Sequence, residues 1–497
     1  MLFNSRDFLV FFPVVVLLYF IIPKKLRHIW LLAASYYFYM SWNAKYAVLI
    51  AMSTLITWVC GIFIERLEGE KKSGKKKCVL ALAFISNLGI LFFFKYFDFL
   101  LEIINMVLRP LNMEVINNPF DIILPVGISF YTFQALGYTV DVYRGKISAE
   151  KNILNYALFI SFFPQLVAGP IERSESLLNQ IRRQSEINVW DYERVVKGLI
   201  MMVWGLFIKM VIADRIAVVV DTVFDSPYRY GATGLIAAAA AFSMQIYCDF
   251  SAYSIIAIGA AKVLGFSLME NFNVPYFARS IADFWHRWHI SLSTWFRDYL
   301  YIPLGGSRCS RIKKYRNIMI TFLVSGLWHG AGWTFVIWGG LHGLYQIVGD
   351  MTRGIRNRIK DVLHINTNVF SYKFGQVVGT YILTTFAWIF FRADTLQDAI
   401  YYIFRIFRHI DPWALFDESL YTLGLDRFES NVLIVALLVL LAVDLLKYFR
   451  NINLSDFLMA QNLVFRWIVI IGLIAAVLTY GMYGIEFDSA QFIYFEF

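Results

Sequence analysis

The chain has 497 residues, of which 59% are hydrophobic, 18% aromatic and only 16% charged, with a mean hydropathy of +0.58. That balance excludes an ordinary soluble domain and fits a polytopic membrane protein, whose aromatic residues favour the bilayer interface. The 45 basic residues against 36 acidic ones sit between apolar runs, which points to cytoplasmic loops beside anionic lipid head groups and away from nucleic acid.

A helix needs about 20 apolar residues to cross the hydrocarbon core. In chain order the candidate spans are 8–22, 29–42, 46–64, 78–109, 123–140, 153–169, 198–213, 232–247, 251–266, 317–348, 376–391, 431–447 and 464–483. Several are short, and Pro13, Pro125 and Pro164 interrupt others. Short or broken segments predict roughly 11–13 membrane helices that include re-entrant pieces shielded by protein. The expectation is an all-α polytopic membrane protein forming one integral membrane domain over 1–497.

The first run, Phe8 to Ile22, is followed by Lys24, Lys25 and Arg27 and has no small-residue cleavage site. It reads as a retained first span with the N-terminus outside. PKKLRH (23–28), ERLEGEKKSGKKK (65–77, six basic residues), TRGIRNRIK (352–360) and LLKYFR (445–450) mark the cytosolic side. PLNMEVINNPFD (110–121), without a basic residue, and the acidic, aromatic tail GIEFDSAQFIYFEF are assigned to the outside. Cys60, Cys78, Cys248 and Cys309 have neither metal nor redox spacing and read as small core residues without disulfides. Residues 276–316 alternate charged and aromatic positions at helical spacing, as an amphipathic helix at the cytosolic interface would.

Seven histidines occur. His28, His364 and His409 adjoin basic loops and read as interfacial. His329 lies in LVSGLWHGAGW, within a run that has no other ionisable residue from Ile318 to Leu341. An ionisable side chain at such depth is a functional candidate by default. Gly326, Gly330 and Gly332 either open the ring to a substrate or let helices pack closely. A buried imidazole stays neutral, the form a general base needs. His342, 13 residues on, would point about 220° away on a continuous helix and reads as structural. His286 and His289, three apart, would share a helix face. Without an acidic or cysteine partner of recognised spacing they predict no metal site. His289, in HISLS, would line the inner face, with His286 on the polar one. Trp328 and Ser325 beside His329, Asp249 in QIYCDFSAYS, and Arg287 and Arg297 in the interfacial segment are candidate substrate contacts. Asp249 needs a partner that the sequence does not name, and Lys209 near a span end would snorkel.

FWHRWHISLSTWFRDYLYIPLGGSR and GLWHGAGWTFVIWGGLHGLYQ resemble the membrane-bound O-acyltransferase (MBOAT) family. LPVGISFYTFQALGYTVDVYRG (124–145), FFPQLVAGPIER (162–173) and WIFFRADT (388–395) match its bacterial branch of alginate O-acetyltransferase membrane subunits in the same order. The resemblance implies the MBOAT fold, with helices enclosing a central funnel and the core motifs within 124–395. It places the family's catalytic histidine at His329 and its second histidine at His289. It also implies a multi-pass protein of the bacterial cytoplasmic membrane, with no bound cofactor. Acetyl-CoA or an acyl carrier protein thioester would be the donor and a cell-surface polysaccharide the acceptor. A separate extracytoplasmic partner of the SGNH-hydrolase type would take the acyl group onward. The leading function is therefore acetyl transfer across the membrane. The alternatives are D-alanyl transfer to teichoic acid from an acyl carrier protein, and a transporter or channel in which His329 is structural.

Overall fold

The computed structural model describes residues 1–67, 73–120, 124–167 and 169–483. Part of the basic segment (68–72) and the tail from 484, both oriented above from sequence, lie outside these residues. Among the described residues the regular structure is helical throughout, with no strand. Seven helices among these residues are long and apolar enough to cross a membrane: Ala44–Arg66, Gly74–Leu111, Tyr192–Phe224, Ala232–Leu264, Phe370–Arg392, Arg427–Arg450 and Leu463–Tyr480. Other predicted spans are shorter helices, such as Arg6–Ile21 of 16 residues and Arg27–Met40 of 14.

Two boundaries differ from expectation. Residues 232–247 and 251–266 are not separate spans but one 33-residue helix, Ala232–Leu264, with Asp249 inside it. Asp249 is matched there by the buried ammonium of Lys209, 2.7 Å from its Oδ1, so the helix need not break. The run 317–348 is not one helix but a hairpin, Arg311–His329 and Trp333–Met351, reversing at Gly330–Gly332.

By its contacts the chain divides into two compact units. The first comprises Met1–Leu199 and Ala257–Met269. Its centre is the helix Ile128–Tyr143, buried from Ile128 to Val142. Polar groups there are paired: Tyr156 donates to Thr57 Oγ1 at 2.8 Å, and the Glu150 N–H donates to the Tyr138 hydroxyl at 2.9 Å.

The second unit comprises Ile200–Ile256 and Glu270–Phe497 and holds every candidate site residue. In its hairpin a Cβ on Gly326 would overlap the Phe335 carbonyl, and one on Gly339 the Phe322 carbonyl. Gly330 abuts the Phe335 ring. Gly326 and Gly330 therefore serve close packing, the plainer of the two sequence readings. Gly339→Ala is expected to lower the thermal midpoint of the solubilised protein, since overpacking of this kind costs about 1–3 kcal/mol. An unchanged midpoint would contradict the close approach of the two helices.

Candidate active site

The predicted amphipathic helix over 276–316 is broken into Ile281–Arg287, Ile290–Phe296 and a π-helical turn Arg297–Tyr301. The break falls on His289, at φ 42° and ψ 55°. A non-glycine residue in this left-handed region costs on the order of 1–3 kcal/mol and persists only where its surroundings enforce it. Here the Asn273 N–H donates to the Arg287 carbonyl and the Ile290 N–H to the Asn271 carbonyl, each at 2.9 Å. His286 and His289 consequently do not share a face: His286 is exposed and His289 fully buried.

Asn271 sets the chemistry of His289. The Ser291 N–H and hydroxyl both donate to Asn271 Oδ1, at 3.3 and 2.9 Å, which identifies that atom as the amide oxygen. His289 Nδ1 lies 3.1 Å from the same oxygen. An amide oxygen only accepts, so Nδ1 carries the proton and Nε2 keeps the lone pair. Burial pushes the imidazole down to about 3, so His289 is neutral at physiological pH and its basic nitrogen is Nε2. Phe250 and Phe272 enclose the ring, with Phe250 edge-on at 4.6 Å between centroids.

His329 ends the first hairpin helix and is 3% exposed. Its ring is boxed by Trp328 at 4.9 Å, Trp338 at 5.0 Å and Phe391 at 5.5 Å. The hairpin thus returns Trp338 to its side, while the helix Phe370–Arg392 supplies Phe391. His289 and His329 are 6.4 Å apart, and Trp328 touches both, lying 5.9 Å from His289. Two imidazoles from separate elements share one buried aromatic cluster, with no carboxylate among these ring contacts.

The other predicted contacts fall in three places. Ser325 is buried one helical turn before His329. Arg287 Nε donates to Asp283 Oδ1 and Arg297 Nε to Asp298 Oδ1, each at 2.8 Å, so both guanidiniums engage local carboxylates instead of the histidines. Asp249 has its partner in Lys209: the ammonium lies 2.7 Å from Asp249 Oδ1 and 2.8 Å from Asp214 Oδ1. Lys209 is 2% exposed and does not snorkel. A π-helical turn, Ile208–Ala213, carries it, as such turns often do at functional sites. Asp249 precedes Phe250, so this ion cluster anchors the stretch that walls His289. His342, read as structural on the premise of a continuous helix, instead flanks the same Trp338 ring as His329, at 5.0 Å. Of the cysteines, Cys60 and Cys248 are buried as expected, whereas Cys78 is exposed and Cys309 half-buried.

Sequence reasoning missed Asn271, Trp338 and Phe391. WIFFRADT and the hairpin motif contained the last two without assigning them a role. Asn271 gave no signal, because its function depends on a left-handed residue 18 positions on. Asn271→Leu is expected to lower acyl transfer about tenfold to a hundredfold by releasing the His289 tautomer, as loss of an orienting partner does. Transfer rate per folded protein checks this; parental activity would remove Asn271 from the site.

A helical, polytopic membrane protein with two imidazoles buried in one aromatic cluster is the class that these observations define. The model of the membrane-bound O-acyltransferase family matches residues 145–387. The chain is 35% identical over 457 residues to "Probable alginate O-acetylase AlgI" of Pseudomonas aeruginosa, covering 91% of this chain and 83% of that one. It is 35% identical over 433 residues to "Peptidoglycan O-acetyltransferase" of Helicobacter pylori, covering 80% and 78%. To "Teichoic acid D-alanyltransferase" of Bacillus subtilis it is 28% identical over 246 residues, covering 45% and 58%. The chain belongs to the membrane-bound O-acyltransferase family and is an O-acyltransferase.

Proposed function

We propose that this protein passes an acetyl group from a cytosolic thioester across the membrane for O-acetylation of a cell-surface or secreted polysaccharide, with His329 and His289 as the working imidazoles. The observation that carries this reading is the pair of buried rings 6.4 Å apart around Trp328. His329 takes the proton of the acceptor hydroxyl as its oxygen attacks the thioester carbonyl. The C–S bond then breaks, and the leaving thiolate takes that proton back. His289, held neutral with Nε2 basic, orients the acceptor or relays its proton. An aromatic, water-poor chamber limits hydrolysis of the thioester. The donor is acetyl-CoA or an acyl carrier thioester.

The protein is read as a multi-pass component of the bacterial cytoplasmic membrane with both termini outside. Supporting this, two apolar helices, Phe370–Arg392 and Arg427–Arg450, stand between basic 352–360 and the basic end at 445–450, which puts both on one side. An extracytoplasmic SGNH-hydrolase-like protein would receive the acyl group and complete transfer to the glycan. Acetyl is favoured over D-alanyl because the O-acetylating relatives align over 80–91% of this chain, against 45% for the D-alanyl relative.

Mass spectrometry of wall and secreted polymers, with and without the gene, tests this. Loss of acetyl esters with alanyl esters unchanged is expected. Loss of alanyl esters alone would replace this reading with the D-alanyl one, and no change in either would end both.

A further inference from the structure

Two buried N–H donors have no acceptor among the described residues, one on the Trp338 ring that packs against His329 and one on His342, which packs against that same indole. The first is Trp338 Nε1 and the second His342 Nε2; both side chains are 0% exposed. The protonation of His342 follows from Trp285, whose Nε1–H lies 3.2 Å from His342 Nδ1. An indole nitrogen only donates, so His342 Nδ1 accepts and the neutral ring carries its proton on Nε2. Trp338 stands between the two imidazoles, 5.0 Å from His329 and 5.0 Å from His342. Trp388 stacks on Trp338 at 5.4 Å, and Phe391 closes the side at 5.2 Å. Trp338 and His342 are four residues apart on Trp333–Met351, and therefore lie along one face.

Buried donors are nearly always paired, and an unpaired one calls for a functional explanation. Acyl transfer supplies one: the carbonyl oxygen becomes an anion as the acceptor oxygen adds, and it needs fixed donors in a dry site. We propose that Trp338 Nε1–H and His342 Nε2–H form the oxyanion-binding pair of this enzyme, with Trp285 holding His342 in the donating tautomer. Trp285 is thus a positioning residue. The proposal rests on the reading of His329 above. In the balanced step, the hydroxyl proton moves to His329 and the acceptor oxygen bonds to the carbonyl carbon. Both donors hold the oxyanion until the carbonyl re-forms, the C–S bond breaks and the thiolate recovers the proton.

The test follows the initial rate of acetyl-ester appearance on surface polymers, per unit of folded full-length protein, in cells expressing each variant. His342→Phe keeps the ring and removes the donor; a loss of about a hundredfold is expected. His342→Gln presents an amide N–H in place of the imidazole Nε2–H, and should retain at least about tenfold more activity than His342→Phe. Trp338→Phe should lose as much as His342→Phe, and serves if that variant does not fold. Trp285→Phe should fall between parent and His342→Phe, because either tautomer becomes accessible. Activity within threefold of the parent in folded His342→Phe or Trp338→Phe would overturn the assignment, as would equal loss in folded His342→Gln and His342→Phe. His329→Ala separates the two levels. If it is inactive while His342→Phe is active, only the oxyanion pair falls; if it is active, the reading of His329 falls first.

Discussion

His329→Ala is expected to lower the initial rate of acetyl-ester formation about a thousandfold, within the range of a lost general base. The protein should still insert and elute as a single species, with a thermal midpoint lowered only by the cavity that alanine leaves. The imidazole makes ring contacts with Trp328, Trp338 and Phe391, and alanine there leaves a cavity at a helix end. Acetate released from surface polymers by mild base, normalised to folded protein, measures the effect. Activity above about a tenth of the parent's would contradict a base at this position. A structural histidine would show the reverse pattern, with lost folding and full activity in the fraction that survives.

The second large effect concerns folding. Lys209→Met is expected to destabilise the protein by about 3–5 kcal/mol, because it leaves two enclosed carboxylates without their cation. Lys209, Asp214 and Asp249 are each no more than 3% exposed, and water cannot take the place of the ammonium. Against a total stability of about 5–15 kcal/mol, a loss of that size should strip most of the protein from the membrane fraction. Removing all three charges together, as Lys209→Met with Asp214→Asn and Asp249→Asn, should recover much of the yield, since a neutral cluster has no uncompensated charge. Yield of single-species protein and thermal midpoint report both variants. A stable Lys209→Met protein would mean that the carboxylates find other compensation. Because Asp249 adjoins Phe250, which packs edge-on against His289, surviving Lys209→Met protein should also transfer acetyl more slowly.

Most of the architecture was legible in the chain because hydrophobicity is a local property. The all-α membrane class, most of the long spans and the isolation of His329 in an apolar run all follow from windows of about 20 residues. What windows cannot register is pairing across the chain. Asp249 looked like a break between spans, since nothing nearby in sequence matches its charge; Lys209, 40 positions earlier, does. The run 317–348 looked like one long helix, because glycine and alanine at 330–332 interrupt neither hydropathy nor period. Its reversal there brings Trp338, and with it the face that carries His342, back to the ring of His329. In the same way, HxxH promised a shared face, and a left-handed backbone at His289 separates the two rings. Both histidines proposed to do the chemistry were named from motif and depth, but their surroundings came only with the fold. Asn271, which fixes the tautomer of His289, lies in an irregular stretch 18 residues before it and has no spacing that sequence could register.

Cryo-electron microscopy of the full-length protein with an acetonyl thioether analogue of acetyl-CoA, whose ketone replaces the thioester carbonyl, is the most direct test of the central claim. The account expects the ketone carbon within about 3.5 Å of an acceptor oxygen hydrogen-bonded to His329 when acceptor is present. In both states the ketone oxygen should face the chamber formed by Trp328, Trp338 and Phe391. An analogue bound elsewhere, with the His329 ring sealed behind these side chains or turned to lipid, would contradict it.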